Sequence, residues 1–335
     1  MKNGKPIIKT AGTVITAVIV LTLVVLSIIL SGRSFSEYQL ETLYILLIIC
    51  GCSVLYCFTV GEITQNFSQM DKLWSILPVA YVWVVAGRGG MKLRLVIYAL
   101  IVTAWGIRLT FNFARKGAYS IKFWEGVEDY RWSIVHGMRI FRKRIAWTAF
   151  NLFFISLYQN VLVLAICFPA LACMESAAPF CAWDIAAAVS SVLFLVLETV
   201  SDEYQWKFHK TKKKLLSELG SLDRLPQPYD TGFNTTGPWS VMRHPNYLGE
   251  QGIWLCLYMF AIGAGAAGHG VFHWSAVGPL MLVLLFMGSS SLGETISSKK
   301  YPLYNDYVNR VFKYIPVRKY KREQTVLYTT ENETV

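Results

Sequence analysis

The sequence predicts an all-α, polytopic membrane helical bundle of about eight transmembrane helices. Three observations carry this reading. Of the 335 residues, 54% are hydrophobic and only 16% charged, a balance that belongs to multi-span membrane proteins rather than soluble domains. The apolar residues are gathered into runs of about twenty, the length of helix that crosses a bilayer. The basic residues stand in short stretches between those runs, as the positive-inside rule requires. The net charge of +11, taken alone, would suggest a nucleic-acid partner. Its confinement to the loops makes it a topology signal instead, and nucleic acid is not an expected ligand.

Taken in order, the first span covers about 11–31, behind Lys2, Lys5 and Lys9. Its apolar run exceeds the ~7–15 residues of a signal-peptide core, so it reads as an uncleaved helix with a cytosolic start. The second span covers about 42–63, the third about 71–88, opening in DKLWSILP, and the fourth about 92–113. A loop over 114–144 carries Arg115, Lys116, Lys122, Arg131, Arg139, Arg142, Lys143 and Arg144. The fifth and sixth spans cover about 145–172 and 180–203, and a second basic loop over 207–238 holds Lys210, Lys212, Lys213, Lys214 and Arg224. The seventh and eighth spans cover about 245–268 and 272–293, before a basic C-terminal stretch and a polar tail over 321–335. Eight spans place the basic clusters and both termini in the cytosol and leave 173–179 and 265–271 without Lys or Arg, as non-cytosolic loops should be. One turn breaks the rule, because Arg88, Lys92 and Arg94 fall outside. The seven cysteines follow no metal spacing. Cys50, Cys52, Cys57, Cys167 and Cys256 lie in or at the ends of apolar runs and read as core thiols. Cys173 and Cys181 flank a non-cytosolic loop and are the one pair left open to a disulfide.

Polar residues gather at the cytosolic ends of the spans. In GPWSVMRHPNYLGEQGIW, Pro245 suits a first helical turn. Arg243 and His244 then precede the helix, and Asn246 and Glu250, four apart, share a face. Such a helix start beside an arginine can hold phosphate, while the plainer reading is a capped membrane helix anchored at the headgroups. Arg108, Asn112 and Arg115 form one stripe at i, i+4, i+7, otherwise explained as arginines reaching for headgroups. VEDYRW supplies Glu128, Asp129, Tyr130 and Arg131. Glu198 and Asp202 put two carboxylates on one face near the membrane boundary, which is costly unless they bind something. Glu294 stands near the end of the last span, and Tyr301, Tyr304 and Tyr307 are spaced by three on a short interfacial helix. Together these groups would suit a nucleotide, with positive charge for phosphates, carboxylates for hydroxyls and aromatics for stacking.

The motifs DKLW (71–74), RLTFNFAR (108–115), EDYRW (128–132), Glu198 with Asp202, RHPNYLGE (243–250) and KYPLYNDY (300–307) resemble those of the steroid 5-alpha-reductase family of membrane reductases. The likeness is closest to the family's broad microbial branch of unassigned substrate; sterol reductases and isoprenylcysteine carboxyl methyltransferases are related. The resemblance implies a reductase-like domain over 41–320, a seven-helix core, with 1–40 an added N-terminal helix. It implies NADPH drawn from the cytosol and reduction of a carbon–carbon double bond in a lipid-like substrate (steroid, sterol, enoyl or isoprenoid) entering from the bilayer. By that likeness Asn246 and Tyr247 contact the cofactor, Asp202 matches the family's cofactor-binding aspartate, and Glu198 stands where steroid reductases carry asparagine. Arg108, Asn112 and Arg115 fall on the helix that reaches the cofactor. Asp129, Arg131, Arg243, His244, Glu250, Glu294 and Tyr301 complete the expected cofactor set. Tyr130 and Tyr247, with Glu128 as the acid, are the candidate proton donors.

The chain departs from the family in three places. Trp105 stands where steroid reductases carry a carbonyl-polarising tyrosine, Leu292 where sterol reductases carry an arginine, and the substrate-binding glutamate has only Glu62 as a counterpart. The rival enzyme reading is an S-adenosylmethionine-dependent methyltransferase, whose Arg-His-Pro-x-Tyr segment is shared but whose adjacent glutamates are broken here by Thr295. A third reading is a non-catalytic lipid-binding membrane protein. An endoplasmic reticulum or other endomembrane location is expected, with the oligomeric state open. The topology generates a first prediction. The sequons at Asn66, Asn234 and Asn332 all fall on the cytosolic side, so none should gain a glycan in a eukaryotic host. An endoglycosidase-sensitive mobility shift traced to Asn234 would invert the C-terminal half.

Overall fold

The computed structural model describes residues 35–266 and 270–320, together with Thr22. The expected first span, apart from Thr22, and the tail with Asn332 lie outside the described residues. Among the described residues every regular element is helical. Five helices are long and apolar enough to cross a membrane: Glu37–Thr64, Leu93–Ala114, Arg144–Cys173, Ala182–Leu219 and Trp274–Lys300. By that length and apolarity the protein is a multi-pass helical membrane protein. The chain divides into two compact units, the first running to Thr199 and resuming over Tyr247–Ser291, the second made of Val200–Asn246 and the residues from Leu292.

In the first unit, helix α1 (Glu37–Thr64) starts at a capping box. Ser36 Oγ accepts the Gln39 N–H at 3.0 Å, and the Gln39 side chain accepts the Ser36 N–H at 3.2 Å. Two otherwise orphaned donors are satisfied in this way. The span expected over 71–88 is two pieces, α2 (Gln69–Leu73) and α3 (Leu77–Arg88, 12 residues), with Pro78 in the first turn of α3. At 1.5 Å per residue α3 is about 18 Å long, short of a ~30 Å hydrocarbon core on its own. Helix α4 is Leu93–Ala114 and α5 is Tyr130–His136. The stretch Arg144–Cys173, α6, contains a π-helical segment over Asn151–Tyr158. Its buried face meets α1, where Asn151 Nδ2 donates to Glu62 Oε1 at 2.8 Å and Ser53 Oγ donates to Asn160 Oδ1 at 2.6 Å. Helix α7 (Ala182–Leu219) has 38 residues, so much of the expected basic loop over 207–238 is helical. Apolarity fades near residue 203, but no Gly or Pro interrupts the strong helix formers until Gly220, which has φ +83°, and propensity carries the helix on. Helix α8 is Pro245–Gly263 and α9 is Val277–Lys300.

Small residues set the closest approaches in this unit. Gly249 and Gly252 of α8, one turn apart, face Glu198 and Phe194 of α7; a Cβ on Gly249 would lie 2.6 Å from Glu198 Cβ, and one on Gly252 2.5 Å from the Phe194 ring. Gly278 of α9 is tighter still, since a Cβ there would lie 2.0 Å from the Ala165 carbonyl oxygen of α6. Without a hydrophobic drive between helices in lipid, such backbone proximity supplies the packing. Arg94, only 6% exposed, opens α4 with its Nε on Asp184 Oδ1 at 2.6 Å and its Nη2 on Asp184 Oδ2 at 2.8 Å. The remaining donors reach Ser176 Oγ and the carbonyls of Ala178, Pro179 and Gly263. Arg88 pairs with Glu41 at 2.8 Å. Two of the three cations that break the charge rule therefore carry their own counter-charges. All seven cysteines, Cys173 and Cys181 included, are free thiols.

The second unit is built from the C-terminal part of α7, the irregular segment 220–244, the end of α9 and helix α10 (Tyr304–Arg310). Its core is Phe233, Tyr304, Tyr307, Val311 and Tyr320. The tyrosine row expected to lie at a membrane interface is thus partly inside: Tyr304 is 6% and Tyr307 1% exposed. The Tyr307 hydroxyl donates to the carbonyls of Trp239 and Met242, as a buried phenol requires. Gly232, at φ +80°, lets the Tyr301 ring approach to where a Cβ would be 2.4 Å away.

The α6–α9 contact gives a prediction. Gly278→Ala should destabilise the protein by about 3 kcal/mol, at the upper end for overpacking because the obstructing atoms are backbone. Gly288→Ala, on the same helix with open space around it, should be neutral or slightly stabilising. Equal apparent melting temperatures for the two variants in detergent would refute the tight crossing.

Candidate functional site

Two motifs that stand far apart in sequence meet in the first unit. Trp132 Nε1 of EDYRW donates to Asp71 Oδ2 of DKLW at 2.8 Å. Asp129 caps α5, its backbone N–H donates to Ser68 Oγ at 2.9 Å, and its carboxylate receives Arg131 Nε at 2.8 Å and Nη2 at 2.9 Å. Glu128 Oε1 accepts the Phe67 N–H at 2.7 Å. Lys72, fully buried, donates its ammonium protons to the carbonyls of Phe123 and Glu125 at 2.8 and 2.6 Å. The loop 115–143 is thereby clasped to the α1–α2 turn. DKLW is the docking edge of that clasp, a role its sequence alone does not reveal. The carboxyls of the clasp are driven apart. Burial would raise Asp129, but the forked Arg131 overrides it and holds the carboxyl below the usual range. Burial pushes Asp71 up against the opposing pull of Arg131, and burial likewise raises Glu128. Tyr247 lies within electrostatic range of Arg131 and sets its ring edge-on to Phe286 at 4.7 Å. Tyr130 stands apart, 61% exposed.

The second cluster of this unit lies among the helices. Arg108 is ion-paired with Glu198, their side chains 12% and 5% exposed. Asn112 Oδ1 takes both Nε and Nη2 of Arg115, at 3.0 and 2.7 Å. Glu250, 4% exposed, is held between two indoles: Trp105 Nε1 donates to Oε2 at 2.7 Å and Trp254 Nε1 to Oε1 at 3.2 Å. The two rings meet edge to face at 5.1 Å. Trp105 is completely buried and engaged with Glu250. Its i, i+3 spacing from Arg108 and the i, i+4 spacing of Glu250 and Trp254 were the available signals.

In the second unit the RHPN turn is locked from several sides. Arg243 Nε donates to Glu294 Oε1 at 2.8 Å and Nη1 to the carbonyls of Val308 (3.1 Å) and Val311. His244 Nε2 meets the same Glu294 oxygen at 2.9 Å. Burial lowers the His244 pKa although Glu294 pulls it upward. The backbone N–H groups of Arg243 and His244 donate to the carbonyls of Phe312 and Lys313. Asn246 Nδ2 donates to Asp202 Oδ1 at 3.2 Å. Three buried amide atoms of this unit find no hydrogen-bond partner among the described residues: Asn246 Oδ1, Gln205 Oε1 and Asn234 Nδ2. Gln205 sits one turn beyond Asp202 on α7, and sequence reading missed it as well as Asn234. Asn234 is only 3% exposed, with Oδ1 accepting from the Thr236 N–H and hydroxyl, so its sequon is covered by the fold itself. Tyr301 packs its ring on Phe233 at 5.8 Å and accepts from Lys212 Nζ at 3.4 Å.

These features define a multi-pass helical membrane protein with buried ion pairs and hydrogen-bonded carboxylates at its helix ends. It belongs to the family described as Protein of unknown function (DUF1295), which matches residues 57–311. The chain is 35% identical over 267 residues to Uncharacterized protein C594.04c of Schizosaccharomyces pombe, covering 76% of this chain and 73% of that protein. No solved structure matches it. Every candidate residue falls within the matched region.

The lock on the RHPN turn generates a prediction. Glu294→Ala leaves Arg243 and His244 buried beside no acid and should cost about 3 kcal/mol, the lower end for breaking a buried pair because the Glu294 side chain is 17% exposed. Arg243→Ala should lose stability too, since its guanidinium also ties down two carbonyls. Unchanged thermal unfolding of both variants would show that the turn is held by other contacts.

Proposed function

We propose that the chain is an NADPH-dependent membrane reductase acting on a carbon–carbon double bond of a lipid-like substrate drawn from the bilayer. The observation that carries this reading is Asn246. Its amide nitrogen is spent on Asp202, and its buried carbonyl oxygen lacks a hydrogen-bond partner among the described residues. A buried acceptor left open costs on the order of 1–3 kcal/mol, and a bound donor such as a carboxamide or ribose hydroxyl would recover it. Gln205 Oε1 and Asn234 Nδ2 offer a second acceptor and a donor in the same unit. These residues fit the polar groups of a dinucleotide, and the motif resemblance makes that dinucleotide NADPH. When bound, NADPH supplies the hydride.

The protein's own residues do the rest. Arg243, in the same unit as Asn246, supplies positive charge and is already oriented by Glu294, so little side-chain freedom is lost on meeting an anion; within the first unit Arg108 and Arg115 are oriented by Glu198 and Asn112. Glu128 is the best of the three proton-donor candidates. Its Oε1 accepts the Phe67 N–H, which leaves Oε2 to carry the proton, and burial raises its pKa, the direction a donor near neutral pH needs. Tyr130 is exposed and Tyr247 is packed against Phe286. The reading takes eight spans with both termini cytosolic, in the endoplasmic reticulum or another endomembrane. The five apolar helices are joined by α8 and by α3 with its preceding turn; the expected span over about 11–31 lies, apart from Thr22, outside the described residues.

The test is titration of the purified protein in detergent with NADPH and with S-adenosylmethionine. NADPH should bind, and Asn246→Ala and Asp202→Asn should each weaken it about tenfold, about 1.4 kcal/mol and within the range of one hydrogen bond, with thermal unfolding little changed. Binding of S-adenosylmethionine instead would establish a methyltransferase, and the absence of any nucleotide binding would leave a lipid-binding protein.

A further inference from the structure

The turn at Arg88, Lys92 and Arg94 is the one stretch whose charge the eight-span topology does not explain. The ion pairs to Glu41 and Asp184 account for Arg88 and Arg94. Lys92 is different. Its ammonium donates to the carbonyls of Met174 at 3.2 Å and Ser176 at 2.9 Å, neutral groups that orient the cation without cancelling its charge. Glu175, the acid of that loop, accepts from Ser36 Oγ and forms no ion pair with Lys92 among the described residues.

Lys92 also lines a cavity of about 380 Å³ whose walls include Leu93, Arg94, Ser176, Ala177 and Phe180. That is roughly a dozen waters' worth of space at ~30 Å³ each. No side chain caps the first turn of α4 at this wall, so its N–H groups add to the positive potential of the lysine. Leu93 and Phe180 are 61% and 38% exposed, which gives the charged cavity an apolar rim at the start of a membrane-crossing helix. Arg108 lies 16 residues further along α4, about 24 Å at 1.5 Å per residue, so this cavity is separate from the residues assigned to the reductase.

We propose that the cavity binds the phosphate-bearing headgroup of an anionic membrane lipid, with Lys92 as the cation and Leu93 and Phe180 against the lipid's apolar part. A soluble phosphate would use the lysine but gain nothing from the exposed leucine and phenylalanine, which is why a lipid is the better occupant. On this reading the charge-rule violation at the turn is a binding site.

The experiment is native mass spectrometry of the full chain released from nanodiscs holding equal phosphatidylglycerol and phosphatidylcholine. The wild type should retain phosphatidylglycerol preferentially. Lys92→Gln should lose about tenfold in that preference, as expected for one charge-assisted contact, Lys92→Arg should keep it, and Lys207→Gln, an exposed lysine elsewhere, should change nothing. As a second readout, phosphatidylglycerol added to detergent should raise the melting temperature of the wild type more than that of Lys92→Gln. Equal retention by wild type and Lys92→Gln would overturn the proposal. So would equal protection by glycerol phosphate alone, which would make the site one for a soluble anion.

Discussion

A carboxylate set among membrane helices must find its hydrogen-bond donors inside the protein, because lipid has none to offer. The crossing of α7 and α8 is arranged around that constraint. Gly249 and Gly252 bring α8 so close to α7 that Glu198 and Phe194 pack on its backbone. Glu198 is then answered by Arg108, and Glu250, one residue beyond Gly249, by the indoles of Trp105 and Trp254. Three helices are thus held by two carboxylates and their donors. A larger residue at Gly249 would separate the backbones and strand both acids.

The same requirement explains why the loop over 115–143 is not a loose connection. Backbone carbonyls at Phe123 and Glu125 would be costly beside a helix end without donors, and the buried Lys72 ammonium provides them. Asp71, Asp129 and Arg131 form a charged group in which one carboxyl is raised by burial and the other held down by the arginine. Glu128, raised by burial beside them, belongs to the same set.

In the second unit a few side chains carry several contacts at once. Arg243 and His244 share one oxygen of Glu294, and Arg243 also holds two carbonyls. A ligand that called on the Arg243 charge would meet a guanidinium already fixed in direction, an advantage for geometry and a limit on how far it can turn. The amide atoms of Asn246, Gln205 and Asn234 are a separate group, because no hydrogen-bond partner satisfies them among the described residues.

What the sequence determined by itself was the class of the molecule. Apolar runs of bilayer length and basic residues confined between them follow from composition and order alone, so the helical membrane architecture and most span positions were legible. The grouping of Arg108, Asn112 and Arg115, of Glu198 and Asp202, and of Asn246 and Glu250 was legible too, because i, i+3 and i, i+4 neighbours share a face whatever surrounds them. Only the tertiary structure decided which group answers which. DKLW docks EDYRW, Trp105 serves Glu250, and the tyrosine row turns inward around Phe233. Those partners are separated by tens to more than a hundred residues, and no local period records a contact between distant segments. The burial of Asn234 was likewise beyond sequence reading, since it depends on what packs against the backbone rather than on the residues beside it.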